Sequence, residues 1–220
     1  MTGRMVRRPG VIAVFGGTFD PPHWGHVRAA EAVRDRMGVD AVWLVPARIP
    51  PHRPEPSLSG EERLRLVEEA VLGRDRLLAS PIELEREGPS FTIDTLDALA
   101  AGRPAAGGPS LLFVVGTDAF REIRTWSRYE TLLERHPVLV HRRSGCSIEE
   151  AVSVLPPRFR ARVTDDLSRS LTPPRVFTMN ISLPDPESQR IRELLRAQGS
   201  VSGLLPSRVA SRIAARGLYR

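Results

Sequence analysis

Residues 15 to 26 read FGGTFDPPHWGH, and this stretch concentrates the side chains and backbone best suited to chemistry. Gly16 and Gly17 let backbone amides approach a ligand with no Cβ in the way. The helix that begins near Trp24 offers unpaired N–H groups and the positive end of its dipole to an anion. His23 and His26, three residues apart on the first turn, point to one side and can donate hydrogen bonds to phosphate oxygens. Together they make a phosphate cradle with two imidazoles. Zinc would need at least a third protein ligand, and His52, His136 and His141 show no spacing that supplies one, so metal binding by histidine is not expected. The patterns GxxxxGK[ST] and GxGxxG are both absent from this turn, which leaves a nucleotide site of another kind. Asp20 is expected to be a turn residue that caps the helix.

Such a loop needs a strand before it and a helix after it, and the text supplies both. VIAVFGG (11–17) is an apolar β-rich run, and Val27, Ala30, Val33 and Met37 recur at helical spacing. AVWLVPA (41–47) is a second buried strand. The Pro-rich RIPPHRPEPS after it can be neither helix nor central strand and forms a long loop. A helix is expected from Gly60 to about Leu72, with Ser59 as N-cap and Glu62 at the capping-box spacing. SFTIDTLDALA (90–100) reads as helix, SLLFVVG (110–116) as strand, DAFREI as a helical turn, RYETLLER as helix and VLVHR (138–142) as strand. Residues 144–174 read as irregular, VFTMNI (176–181) as a last strand, and ESQRIRELLRAQGS and LLPSRVASRIAARGLYR as two terminal helices. Strands alternating with helices argue for an α/β fold with a parallel sheet covered on both faces. In such a sheet ligands bind beyond the carboxyl ends of the strands, where the first loop lies.

Composition narrows the classes. The 220 residues suit one α/β core, here a single domain over 1–220 with residues 1–10 as a flexible tail. Hydrophobic residues at 41% and charged residues at 26% are a globular mix, which argues against disorder. All 32 basic side chains are arginine, so a lysine nucleophile or Schiff base is excluded. The net charge of +6 suits anionic ligands. RNA binding is disfavoured by 5% aromatics and no RNP-like pattern. The lone Cys146 fits a reducing, cytoplasmic setting. No apolar run approaches the ~20 residues that span a bilayer, so no membrane partner is expected. Oligomeric state has no signature in the text.

GGTFDPPHWGH resembles the GxFxPxHxGH signature of the nucleotidylyltransferase superfamily, with His23-Trp24-Gly25-His26 matching its (H/T)xGH core. VPARIPPHRP (45–54), SFTIDTL (90–96), GTDAFREIRTW (116–126) and LLPSRVASRIAARGLY are similar to the IPxxxPPHK/R, SYTxxTL, GxDxLxxxxTW and LLPxxVxxYIxxxGLY segments of bacterial nicotinate-mononucleotide adenylyltransferases. The resemblance covers nearly all of the chain except about 144–174. It implies a Rossmann-like open parallel sheet with C-terminal helices, ATP and nicotinate mononucleotide as substrates, and Mg²⁺ held mainly by the ATP phosphates with no protein metal site. It also implies site residues. Gly16, Gly17, Thr18 and Phe19 would line the phosphates, His23 and His26 would contact the triphosphate, and Gly116 and Asp118 would sit by the adenosine ribose. His52, Arg53, Thr92 and Trp126 would hold the acceptor, the indole by stacking on the pyridine. TW in a loop without flanking apolar partners favours that role over a core one.

The sequence departs from the family near its end. ISSTxxR follows the family's last strand, but here Ile181 and Ser182 run into LPDPE, and Ser188-Gln189-Arg190-Ile191-Arg192 appears about five residues late. Ser188 and Arg192 are the best matches to the second serine and to the arginine that caps the leaving pyrophosphate. Either LPDPE is an insertion before an intact helix N-terminus or the closing element is weakened, which would make the chain a catalytically weakened nucleotide-binding relative. Pantetheine-phosphate adenylyltransferases share the first motif but are shorter and lack the PPH, TIDTL and TW segments. Nicotinamide mononucleotide is the other alternative acceptor.

Overall fold

The computed structural model describes residues 7–51, 54–101, 110–181 and 186–220. Its strands are β1 (Arg8–Gly17), β2 (Val39–Pro46), β3 (Leu77–Ala79), β4 (Ser110–Gly116), β5 (Val138–His141), β6 (Val163–Thr164) and β7 (Val176–Met179). They form one sheet in the order β3-β2-β1-β4-β5-β7-β6, and each neighbouring pair is parallel. This is the expected Rossmann-like architecture.

Side-chain alternation along the strands builds the two covered faces. On β4, Leu112 and Val114 enter one core, while Leu111, Phe113 and Val115 enter the other. The first core receives Ala30, Val33 and Met37 from α1 (Trp24–Met37) and Val67 and Val71 from α2 (Gly60–Val71). The second receives Ile93 and Leu96 from α3 (Thr92–Ala101), Phe120 from α4 (Thr117–Phe120) and Leu132 and Leu133 from α5 (Tyr129–Arg135). Each such buried Val, Leu, Ile, Phe or Met contributes about 1.5–3 kcal/mol relative to an exposed one. A third cluster lies outside α1 and α2, where Val27, Leu66 and Ala70 meet Ile191 of α8 (Ser188–Arg196) and Val209 and Ile213 of α9 (Ser207–Arg216).

Local chemistry sets the boundaries. α1 stops at Gly38, which takes the left-handed conformation at φ 62° and donates its N–H to Arg34 O. α2 starts where Ser59 Oγ accepts from Glu62 N at 3.2 Å. The Glu62 side chain pairs with Arg212 of α9 at 2.9 Å, fastening the outer helix to α2.

Three readings of the sequence need correction. β1 begins at Arg8, inside the stretch read as tail, because Arg8 is buried with Nε donating to Met37 O and Nη2 donating to Leu167 O and Arg169 O. Leu77–Ala79 adds a short edge strand that three residues cannot announce by periodicity. Residues 144–174 are not uniformly irregular. They contain α6 (Ile148–Ser153) with a Ser147/Glu150 capping box, α7 (Pro157–Arg160) and β6, and they bury Leu155 and Phe159. These elements are too short to show a repeating apolar pattern.

Candidate active site

β2 and β3 lie on one side of β1, and β4 lies on the other, so the chain reverses its winding direction between β1 and β4. Beyond the carboxyl ends of these two strands the sheet opens a crevice. A cavity of about 590 Å³ occupies it, with Gly16, Gly17 and Gly116 on its floor.

The three glycines are small for different reasons. A Cβ on Gly16 would meet nothing within 4 Å, so its missing side chain is room for a ligand. A Cβ on Gly17 would stand 3.0 Å from Phe19 Cζ. One on Gly116 would fall 2.6 Å from both Arg143 Cγ and Asp118 Oδ1, so this glycine lets the arginine stem cross the end of β4.

His23 is the N-cap of α1, and its N–H donates to His26 Nδ1 at 3.3 Å. That bond makes Nδ1 an acceptor and puts the proton of a neutral His26 on Nε2. The two rings are stacked, 3.7 Å between centroids, and the Phe19 ring meets His26 edge-on at 4.9 Å. Burial, with the nearby Arg143 cation, pulls His23 down to about 3. His26 is held well below the usual imidazole range by burial, then by His23, Arg143 and His141. Near neutral pH both rings are therefore uncharged donors beside the Arg143 cation.

His141 ends β5 beside Gly116, is 2% exposed, and meets the Phe15 ring edge-on at 5.5 Å. Arg143 follows it on a loop pinned by buried Thr117, whose Oγ1 accepts from Arg143 N at 2.9 Å and donates to Cys146 O at 3.0 Å. Ser188 and Arg192, one turn apart on α8, reach the signature loop opposite. Ser188 Oγ donates to Pro21 O at 3.0 Å, and Arg192 Nη1 donates to Asp20 O at 2.6 Å.

The far end of the cavity is aromatic. Phe91, Thr92, Phe113 and Trp126 line it, with the indole edge-on to Phe113 at 6.0 Å. Ser90 ties this wall to the Pro-rich loop, its N–H donating to Ile49 O at 3.0 Å and its Oγ accepting from Arg48 N at 2.9 Å. Behind it, Glu83 Oε1 accepts from Thr95 Oγ1 at 2.7 Å, and burial raises the Glu83 carboxyl above its usual range.

The cytidylyltransferase-like family model matches residues 14–194, which include every residue lining the cavity. Proteins described as probable nicotinate-nucleotide adenylyltransferases match over nearly their full length. The one from Pseudomonas aeruginosa is 39% identical, covering 95% of this chain and 97% of that protein, and the one from Halorhodospira halophila is 38% identical, covering 94% of each. The chain belongs to the cytidylyltransferase-like family, among the nicotinate-nucleotide adenylyltransferases. The fold likewise matches the Plasmodium falciparum nicotinic acid mononucleotide adenylyltransferase. The structure complexed with NaAD has a TM-score of 0.73 at 16% identity and covers 95% of this chain and 97% of that one, and the structure complexed with APC has a TM-score of 0.71.

In this adenylyltransferase chain one cavity brings together Gly16, Gly17, Thr18, Phe19, His23 and His26 with Gly116, Asp118, Thr92, Trp126, Ser188 and Arg192. His52, Arg53 and Ser182 lie outside the described residues. Phe19 lines the cavity at only 1% exposure, its ring packed edge-on against His26. Trp126 lines the cavity and also packs on the core beneath it.

Asp20 is not the helix cap, a place His23 takes. It is 3% exposed and accepts from Ser57 N and from Tyr219 Oη, each at 2.7 Å. Sequence reasoning also missed His141, Arg143, Glu83 and the almost fully buried Arg63, whose Nη1 donates to Thr18 O at 2.8 Å. Arg63 carried a signal, since it interrupts the α2 pattern at a position that turns out to be internal. His141 and Arg143 carried none that spacing could reveal, because they join the site only through sheet pairing.

Proposed function

We propose that this chain transfers the adenylyl group of ATP to nicotinate mononucleotide, forming deamido-NAD (nicotinate adenine dinucleotide) and pyrophosphate in NAD biosynthesis. One observation carries the reading, a continuous cavity with imidazoles and arginines at one end and Phe91, Thr92 and Trp126 at the other. Such a cavity suits a triphosphate lying end to end with a pyridine mononucleotide. The relatives' names and the neighbour complexed with NaAD support the choice of acceptor.

The acceptor brings its own nucleophile, a 5′-phosphate oxygen ionised at neutral pH, so no protein nucleophile is required. That oxygen bonds to the α-phosphorus of ATP as the bond from this phosphorus to the bridging oxygen of the leaving pyrophosphate breaks. Catalysis is then alignment and stabilisation of developing charge. Neutral His26 donates Nε2–H and His23 donates from the N-cap, with Gly16 and Gly17 amides beside them. Ser188 and Arg192 close over the departing pyrophosphate from α8. Gly116 and Asp118 take the adenosine ribose, and Trp126 stacks on the pyridine beside Thr92. The resemblance also assigns His52 and Arg53 to the acceptor, and their sequence neighbours Pro51 and Pro54 line the cavity.

Among the described residues no group of three or more His, Cys, Asp or Glu could hold a metal ion. Mg²⁺ would be held by the ATP phosphates and water, as that ion prefers, and would supply charge neutralisation there. A cytoplasmic setting belongs to the same reading, supported by a single, buried, unpaired cysteine. No helix among the described residues is long and apolar enough to cross a membrane.

The test is pyrophosphate release with ATP and three acceptors: nicotinate mononucleotide, its nicotinamide counterpart and phosphopantetheine. A carboxylate accepts hydrogen bonds where an amide NH₂ donates them, and a donor left facing donors in a buried site is costly. The expected kcat/KM favours the nicotinate form by at least ~10-fold over the nicotinamide form, equivalent to ~1.4 kcal/mol. Equal use of both pyridines would remove the nicotinate specificity, and a preference for phosphopantetheine would overturn the acceptor. ATP binding without turnover of any acceptor would leave a weakened relative.

A further inference from the structure

Asp20 stands at the phosphate end of the cavity, takes no part in the chemistry above, and has every oxygen engaged. Oδ1 accepts from Tyr219 Oη at 2.7 Å, Oδ2 accepts from Ser57 N at 2.7 Å, and the main-chain O accepts from Arg192 Nη1 at 2.6 Å. Arg192 Nη1 is also 3.8 Å from Oδ2, close enough for attraction but beyond hydrogen-bond distance. The closing arginine thus rests on a neutral carbonyl although a carboxylate lies next to it. The bonds show what sets that geometry: one donor on each carboxylate oxygen, a hydroxyl and an amide, fixes the plane of the group and holds Oδ2 at 3.8 Å from the guanidinium. A free carboxylate would instead take the guanidinium in a bidentate pair.

The neighbours of Asp20 come from four directions. Ser57 lies on the Pro-rich loop, Arg192 on α8, Tyr219 beyond α9, and Arg63 on α2 holds the adjacent Thr18 carbonyl. Tyr219 lies 199 residues from Asp20, is 7% exposed and packs in the third core cluster. Its ring is held by packing, and its hydroxyl is aimed at Asp20.

We propose that Asp20 is the positioning residue for Arg192, and that Tyr219, by occupying one carboxylate oxygen, keeps the guanidinium loosely docked so that the leaving pyrophosphate can draw it away. The anion's identity rests on the adenylyl-transfer reading. Tyr219→Phe would keep the packing and release Oδ1, and the carboxylate would turn to clamp Arg192. The cost of releasing the arginine then falls on ATP and pyrophosphate and spares the pyridine mononucleotide, which binds at the other end.

The experiment is a double-mutant cycle of Tyr219→Phe and Arg192→Ala, read as kcat and both KM values, with ATP affinity by calorimetry and melting temperature alongside. Tyr219→Phe is expected to lower kcat/KM for ATP by about 10-fold, the size of one hydrogen bond to a charged group, and to leave the acceptor KM within about twofold. In the Arg192→Ala background the same substitution should change neither ATP affinity nor turnover. An equal loss in both backgrounds, or equal shifts in both KM values, would overturn the proposal by showing that Tyr219 acts only through general stability. If Tyr219→Phe does not fold, Asp20→Asn takes its place in the cycle. The amide keeps the carboxylate's shape and removes the charge beside Arg192, and its effect on ATP must again vanish with Arg192→Ala. A wild-type chain that bound ATP but adenylated no acceptor would fail the functional reading and leave the calorimetric cycle intact, so the two failures are distinguishable.

Discussion

At the residue scale the phosphate end depends on histidines that stay neutral. Rings 3.7 Å apart would repel if both were charged, and burial beside Arg143 adds to the penalty. An uncharged imidazole with its proton fixed on Nε2 still donates, and Arg143 and Arg192 are the cations that line the same cavity. The depressed pKa of His23 links stability to pH. Between its unfolded value of 6.5 and its folded value of about 3, the unfolded chain binds a proton that the folded chain does not. This contribution is fully present above pH 6.5 and is lost as pH falls, reaching about 2 kcal/mol at pH 5. Denaturant unfolding at pH 7.5 and pH 5 should therefore show a pH-dependent loss smaller by about that amount in His23→Gln than in the wild type. Identical losses would mean that His23 titrates normally.

At the element scale the site is one strand–loop–helix unit whose geometry follows from two glycines with opposite duties. Phe19, at φ 51° in the left-handed region, folds its ring back over Gly17 and against His26. Gly17→Ala would drive a methyl into that ring, and overpacking of this kind typically costs ~1–3 kcal/mol. It should lower both the melting temperature and turnover. Gly16→Ala places its methyl in open cavity, so the melting temperature should hold while KM for ATP rises severalfold, because the methyl stands where the ligand must lie. If the two variants behaved alike in thermal melts and in steady-state kinetics, this division would be wrong. The same logic explains Thr117, which fixes Arg143 over Gly116 through two hydrogen bonds from one hydroxyl.

At the scale of the whole molecule, the parallel sheet gathers segments that are remote in sequence. The wall proposed for the acceptor draws on Pro51 and Pro54, Phe91 and Thr92, and Trp126, which meet because β2 and β4 flank β1. Trp126→Ala should therefore raise KM for the mononucleotide much more than KM for ATP, with a stacking loss of ~0.5–1.5 kcal/mol beyond area. Steady-state kinetics that moved both constants equally, or a large fall in melting temperature, would return Trp126 to a purely core role. The sequence by itself determined the alternation of strands and helices, the signature loop at a strand-to-helix junction and the pairing of His23 with His26. All of these are local, written in periodicity and spacing over a dozen residues. It could not place Asp20 under Tyr219, bring His141 and Arg143 beside His26, or bring Ser188 and Arg192 against the signature loop from behind the LPDPE stretch. The tertiary structure decided those, because each depends on strand order and helix docking between residues tens to nearly two hundred positions apart. A late serine and arginine reach the signature loop once α8 packs Ile191 into the outer cluster, whatever the length of the text before them.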